Sequence, residues 1–214
     1  MTAILVIKHG ALGDLVQAFA PFAAIRAHHP GARIDLLTTR PFAALMAGSP
    51  WFDRVLTDDR APWWNLPAQA ALARRLARAG YARVYDLQTS SRSSRLLHWL
   101  RLFGARPEWS GIARGASHPH ANPGRDAMHT QDRQREQLAM AGIATLPVPD
   151  LAWLDGDASR FALPARFALL VPGAAPHRPA KRWPEGHYGA LATHLAGSGL
   201  TPVILGTAAE APLA

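Results

Sequence analysis

Short apolar runs alternate with stretches of helical period along most of the chain. Ile4-Leu5-Val6-Ile7 is continuous and rich in β-branched residues, and it breaks off at Lys8-His9-Gly10. That is the pattern of a strand buried on both faces and running into a loop. Beyond Gly13-Asp14, apolar residues fall at Leu15, Val16, Phe19, Phe22 and Ile25, and His28-His29-Pro30-Gly31 closes the stretch; the spacing predicts one helix. Residues 33–37 read as the next strand, 41–47 as a short helix and 54–56 as a third strand. Residues 65–79 repeat apolar and Arg positions at helical spacing up to Gly80, which is suited to a C-cap. A strand over 82–87 and a helix over 92–103 follow. This alternation predicts an α/β fold with a doubly wound parallel sheet.

Residues 104–129 carry Gly, Pro, Ser, Asn and three His without a period, so they are expected to form a long, functional loop. Helical spacing returns over 131–141. Pro147, Pro149, Asp155-Gly156-Asp157 and Pro164 then mark a linker. A strand over 167–171, a Pro/Gly loop over 172–180, a helix over 185–196 and a strand over 201–205 make a second β-loop-α-β unit. Three segments result: a first domain over 1–145, a linker over 146–165, and the start of a second domain over 166–214. Two parallel strands do not sustain a sheet alone, so the chain is expected to be a fragment, or its second domain to be incomplete.

Composition narrows the chemistry. The chain has 214 residues, 49% hydrophobic and 18% charged, unlike a disordered chain. With no cysteine, disulfides, thiol nucleophiles and cysteine-held metals are excluded. No run approaches a membrane span and no secretory leader is evident, so a cytoplasmic location is expected. The net charge of +8 is uneven: residues 1–107 hold 14 basic and 6 acidic residues, and residues 108–214 hold nine of each. The first half is therefore expected to attract an anionic partner, or to be a merely solvated basic surface. Lys8 and Lys181 are the only lysines among 23 cationic residues.

Both lysines lie in loops that follow a predicted buried strand and precede a helix, where open α/β sheets bind ligands. In Lys8-His9-Gly10-Ala11-Leu12-Gly13-Asp14, the glycines permit close backbone approach. Asp14 reads either as a helix N-cap or as a general base. In the loop from Pro172-Gly173-Ala174-Ala175 to Lys181-Arg182-Trp183-Pro184, backbone amides with two cations at a helix start suit a diphosphate. Neither loop matches the dinucleotide or Walker fingerprints. Asp155-Gly156-Asp157 sits in the linker and reads as a turn. The ten histidines lack metal-ligand spacing on a helix, so no metal site is expected. Trp51, Trp63, Trp64, Trp99 and Trp109 read as packing rather than as a nucleic-acid face.

Taken together, Lys8…Gly13-Asp14…Pro21 and Pro172-Gly173-Ala174…Lys181-Arg182-Trp183-Pro184 resemble glycosyltransferase family 9, the bacterial ADP-heptose:lipopolysaccharide heptosyltransferases; Asp86-Leu87-Gln88…Arg92 and Gly206…Glu210 also look like family segments. The resemblance runs from about residue 3 to 210. It implies a GT-B-like architecture of two Rossmann-like domains, the second truncated here before the family's later glycine-rich loop. It also implies an inverting transfer of heptose from ADP-heptose, a co-substrate rather than a cofactor, to the lipid A–Kdo inner core, with peripheral inner-membrane contact and no nucleic acid. By position, Asp14 would be the catalytic base. Gly173, Ala174, Ala175, Lys181, Arg182 and Glu210 would bind the nucleotide sugar, and Lys8, Gly10, Gly13 and Arg92 the acceptor. Gly10 and Ala174-Ala175 stand where family members often carry hydroxyls, leaving that work to backbone amides. The alternatives are a nucleotide-binding Rossmann protein of another class and a non-catalytic remnant.

Overall fold

The computed structural model describes residues 2–174 and 179–206. Two compact units divide between Asp155 and Gly156. Unit 1 is built on a six-stranded sheet in the order β3-β2-β1-β4-β5-β6, parallel throughout. Its strands are β1 (Ala3–Ile7), β2 (Arg33–Thr38), β3 (Arg54–Thr57), β4 (Arg83–Asp86), β5 (Glu108–Gly111) and β6 (His118–Pro119). Its helices are α1 (Leu12–Val16), α2 (Phe19–His28), α3 (Arg40–Ala47), α4 (Leu66–Arg78), α5 (Ser91–Leu102) and α6 (Thr130–Met140).

Strand periodicity sorts the core into two clusters. Ile4, Val6, Ile34, Leu36 and Tyr85 join Phe19, Phe22, Ile25 and Leu138. The alternate residues Leu5, Ile7, Leu37 and Val84 join Leu76, Leu96, Leu97 and Leu100. Successive strand residues point to opposite faces, so both faces of the sheet are covered and β1 is apolar throughout.

The structure departs from the pattern reading in four places. The predicted helix over 15–25 is two: Pro21 has no N–H for the Gln17 carbonyl, and α2 starts at Phe19 so that the proline falls in its first turn. The 104–129 segment is not all loop but contains β5 and β6. Their polar, short sequences, Glu-Trp-Ser-Gly and His-Pro, lack the β-branched signature of the others. The region 146–155 is not free linker, because Leu146 and Trp153 pack on the first core cluster. Trp63 and Trp64 are not packing residues: they are 66% and 67% exposed.

Unit 2 contains β7 (Phe167–Leu170) and β8 (Thr201–Ile204), paired in parallel, with α7 (Glu185–Gly197) between them in sequence. The Asp-Gly-Asp segment at its start caps a turn, with Asp157 Oδ1 accepting the Ser159 N–H at 2.8 Å.

Candidate functional site

In unit 1 the chain leaves β1 for β2 and β3 on one side, then returns to build β4, β5 and β6 on the other. The connections after β1 and β4 therefore part at the carboxyl edge, a topological switch point. Lys8 follows β1 directly and is 5% exposed. Its ammonium donates to the Leu87 carbonyl beyond β4 at 3.2 Å, bridging that point. Burial lowers its pKa against the opposing pull of Asp14 and Asp86, and Arg133 adds repulsion.

The next residue ties three strand ends together. The His9 N–H donates to Gln88 Oε1 at 2.8 Å, its carbonyl accepts from Thr39 Oγ1 at 2.9 Å, and its Nε2 lies 3.2 Å from Asp58 Oδ2. Burial pushes the Asp58 carboxyl up, but hydrogen bonds from His9 and the Arg60 N–H, with the charges of His9 and Arg92, outweigh it and hold it low. Asp58, at the end of β3, also shapes the following turn, accepting the Arg60 N–H at 2.8 Å with Arg60 at φ 53°.

Gly10 has φ +112°, and a Cβ there would collide with the Phe42 ring, so this close approach requires glycine. Beside it opens a cleft of about 700 Å³, bordered by His9, Gly10, Thr39, Arg40, Asp58 and Arg60. Asp14 borders the next turn rather than this cleft. It is the third residue of α1 and not its N-cap: Ala11 holds that position, and Asp14 Oδ2 accepts the Ala11 N–H at 3.2 Å. The carboxylate is otherwise exposed, as is Gly13. Arg92 donates to the carbonyls of Ala61 and Arg60 at 2.9 and 3.2 Å. It tethers the β3–α4 connection.

Asp86, the last residue of β4, is fully buried. Burial raises its pKa to about 6 despite the pull of the nearby Ser93 hydroxyl, the hydrogen bond from the Thr89 N–H and the charge of His9. Lys8 and Arg125 both feel its charge, and Arg133 repels each of them. Burial and Arg133 lower the Arg125 pKa, while Asp126 and Asp86 oppose the shift. From α6, Gln137 Nε2 donates to the Asp86 carbonyl at 3.0 Å. The arrangement is a carboxylate, Asp14, beside one buried cation, Lys8, with the half-buried Arg125 and Arg133 close by: it can accept a proton from a hydroxyl and hold an anionic group.

The sequence reading names Lys8, Gly10, Gly13, Asp14 and Arg92, and the structure places them at one edge of unit 1. It missed His9, Asp58, Arg125 and Arg133. His9 lay within the loop singled out, and Asp58-Asp59-Arg60 after a predicted strand was an available signal.

In unit 2, Lys181 is exposed in a short turn before α7, while Arg182 is half-buried and donates to the Ala174 carbonyl at 3.1 Å. Gly173 and Ala174 follow β7. Pro184 occupies the N-cap of α7 rather than its first turn. Ala175 and Glu210 lie outside the described residues.

No protein-family model and no curated protein sequence matches the chain. Solved structures do. The chain is similar to E. coli ADP-heptose lps heptosyltransferase II (TM-score 0.72, 23% identity, covering 100% of this chain and 66% of that one). It is similar to a glycosyl transferase family 9 protein from Veillonella parvula (0.78, 18%, 99% and 64%). It is also similar to E. coli heptosyltransferase WaaC with ADP-2-deoxy-2-fluoro heptose (0.68, 24%, 100% and 72%). The chain thus spans about two thirds of the length of these proteins. At such identities the likeness is one of fold: an α/β, GT-B-like chain built on parallel sheets.

Proposed function

We propose that this chain belongs to an inverting glycosyltransferase of the heptosyltransferase kind, moving a heptose from ADP-heptose to a lipopolysaccharide inner-core acceptor at the cytoplasmic side of the inner membrane. One observation carries the reading: an exposed carboxylate, Asp14, on a loop whose preceding lysine is buried across the switch point of a fold shared with heptosyltransferases. Asp14 takes the proton from the acceptor hydroxyl as its oxygen attacks the anomeric carbon. The bond to the diphosphate breaks, and ADP leaves with the electron pair. Lys181 and Arg182 balance the charge that develops on the leaving diphosphate, with the backbone after β7 in place of hydroxyl side chains. Lys8, Arg125 and Arg133 offset the negative charge of an acidic acceptor; Gly10 and Gly13 let it approach the backbone. Ala175 and Glu210 would serve the nucleotide.

The test is mass-spectrometric detection of heptose transfer from ADP-heptose to a Kdo-lipid acceptor. Transfer by the wild-type chain, lost in Asp14→Ala with an unchanged melting curve, supports the assignment. Wild-type turnover in Asp14→Ala overturns it. Titration with NAD in place of ADP separates the reading from a dinucleotide-binding protein, since binding of NAD alone would favour the latter.

A further inference from the structure

The positive surplus of unit 1 is concentrated in one layer. Residues 60–107 contain nine arginines and a single carboxylate, Asp86, and that one is fully buried. The segment builds α4, β4 and α5, and the two helices lie over the second core cluster. The exposed positions are Ala71, Arg74, Arg75 and Arg78 along α4, and Ser91, Arg95, His98 and Leu102 along α5. Spacings of three and four put each set on one outward stripe. The carboxylates flanking the segment in sequence, Asp59 and Glu108, are ion-paired with Arg40 and Arg83. The α4 stripe is thus arginine-rich, α5 adds Arg95, and both stripes are free of acid.

At the start of α4 this layer carries an apolar tip. Trp63 and Trp64 are 66% and 67% exposed, with rings edge to face at 5.8 Å, and Leu66 is 56% exposed. The turn presenting them is held in place. Arg92 grips two of its carbonyls, Gln69 Nε2 donates to the Ala61 carbonyl at 2.8 Å, and Asn65 caps α4 through the Ala68 N–H. Two indoles held in water on a tethered turn, beside a cationic face, call for a partner that is apolar within and anionic at its surface.

We propose that the α4–α5 layer, led by Trp63 and Trp64, docks on an anionic lipid bilayer. The indoles enter the interface, where amphipathic rings are favoured. The arginines lie over headgroup phosphates, which they bind as planar forks. Docking rather than spanning fits the described helices, none of which is long and apolar enough to cross a membrane. Single-stranded nucleic acid fits less well, since its bases stack on rings spaced along a groove, and here both rings share one turn. The inference extends the reading of a lipid-borne acceptor to a defined face. It rests on that face and not on Asp14 or Lys8, so the two fail separately.

Flotation of the full 214-residue chain with vesicles tests it. Binding is expected to vesicles of phosphatidylglycerol and phosphatidylethanolamine and not to pure phosphatidylcholine, and added salt should weaken it. Trp63→Ala with Trp64→Ala, and separately Arg78→Glu with Arg95→Glu, should each weaken vesicle binding about tenfold or more. The melting temperature should stay in place, because these side chains are exposed. Asp14→Ala should bind vesicles as wild type does, whatever it does to transfer. Equal binding to both vesicle types, wild-type binding by either double variant, or preference for a single-stranded RNA over anionic vesicles would overturn the proposal.

Discussion

Asp86→Asn sets two forces against each other at a measurable place. The carboxyl is fully buried at the end of β4, within electrostatic reach of Lys8 and Arg125. Cations favour its ionised form, while removal from water favours the neutral one. The balance lies with burial, which moves its pKa from 3.8 to about 6. The sign follows. The folded chain holds this proton more tightly than the unfolded chain, so the neutral carboxyl's advantage is complete below pH 3.8 and is lost as pH rises toward about 6. A shift of about two units corresponds to about 3 kcal/mol. Asparagine keeps the shape and an acceptor for the Thr89 N–H but does not titrate. The stability difference, variant minus wild type, should therefore rise by about 2.5 kcal/mol between pH 4 and 7, the greater part of that total, and level off above. Urea unfolding followed by circular dichroism at half-unit pH steps measures it, and titrations shared by both proteins cancel. A difference that is flat, or that falls with pH, would refute the reasoning and show that Lys8 and its neighbours outweigh burial.

Phe22 is 1% exposed and packs on Phe19, Trp51 and Phe52 at centroid distances of 5.0–6.3 Å; Phe22→Ala should cost about 3–5 kcal/mol in urea unfolding. Gly10→Ala meets both a positive φ and the Phe42 ring, so it should cost about 1–3 kcal/mol in thermal melting, part of it recovered by pairing it with Phe42→Ala. Arg92→Ala frees two carbonyls of the β3–α4 connection; faster proteolytic nicking near residues 60–65 with little change in melting temperature is the expected outcome. Lys181→Ala, exposed in unit 2, should weaken ADP-heptose binding in calorimetry while leaving the melting curve in place.

The α/β architecture was legible because β1, buried on both faces, is a continuous apolar run, and because β2 and β4 carry the short apolar pairs Leu36-Leu37 and Val84-Tyr85 between stretches of helical period. β5 and β6 were not. The strand Glu108–Gly111 is held by its parallel register with β4, by the Gln137 contact to Ser110 and by burial of Trp109, all of which are long-range. The Lys8-to-Asp14 loop was visible from its glycines and its place after a strand. The role of Arg92 was not, because a guanidinium that grips backbone carbonyls is spelled the same way as one that waits for a ligand.

That difference bears on how the site is built. His9 reaches β2, β3 and β4 through Thr39, Asp58 and Gln88, and Arg92 then fastens the connection that Asp58 begins. The loop carrying Asp14 and the turn carrying Trp63 and Trp64 are thus linked through one chain of buried or half-buried polar contacts. Asp58→Ala should disturb both ends: it leaves His9 Nε2 without its partner and releases the Arg60 turn. If the chain of contacts is real, the variant should lose transfer activity and vesicle affinity together, a pairing that neither Asp14→Ala nor the tryptophan variants would show. Loss of one without the other would mean that the two ends are positioned independently, each by its own strand.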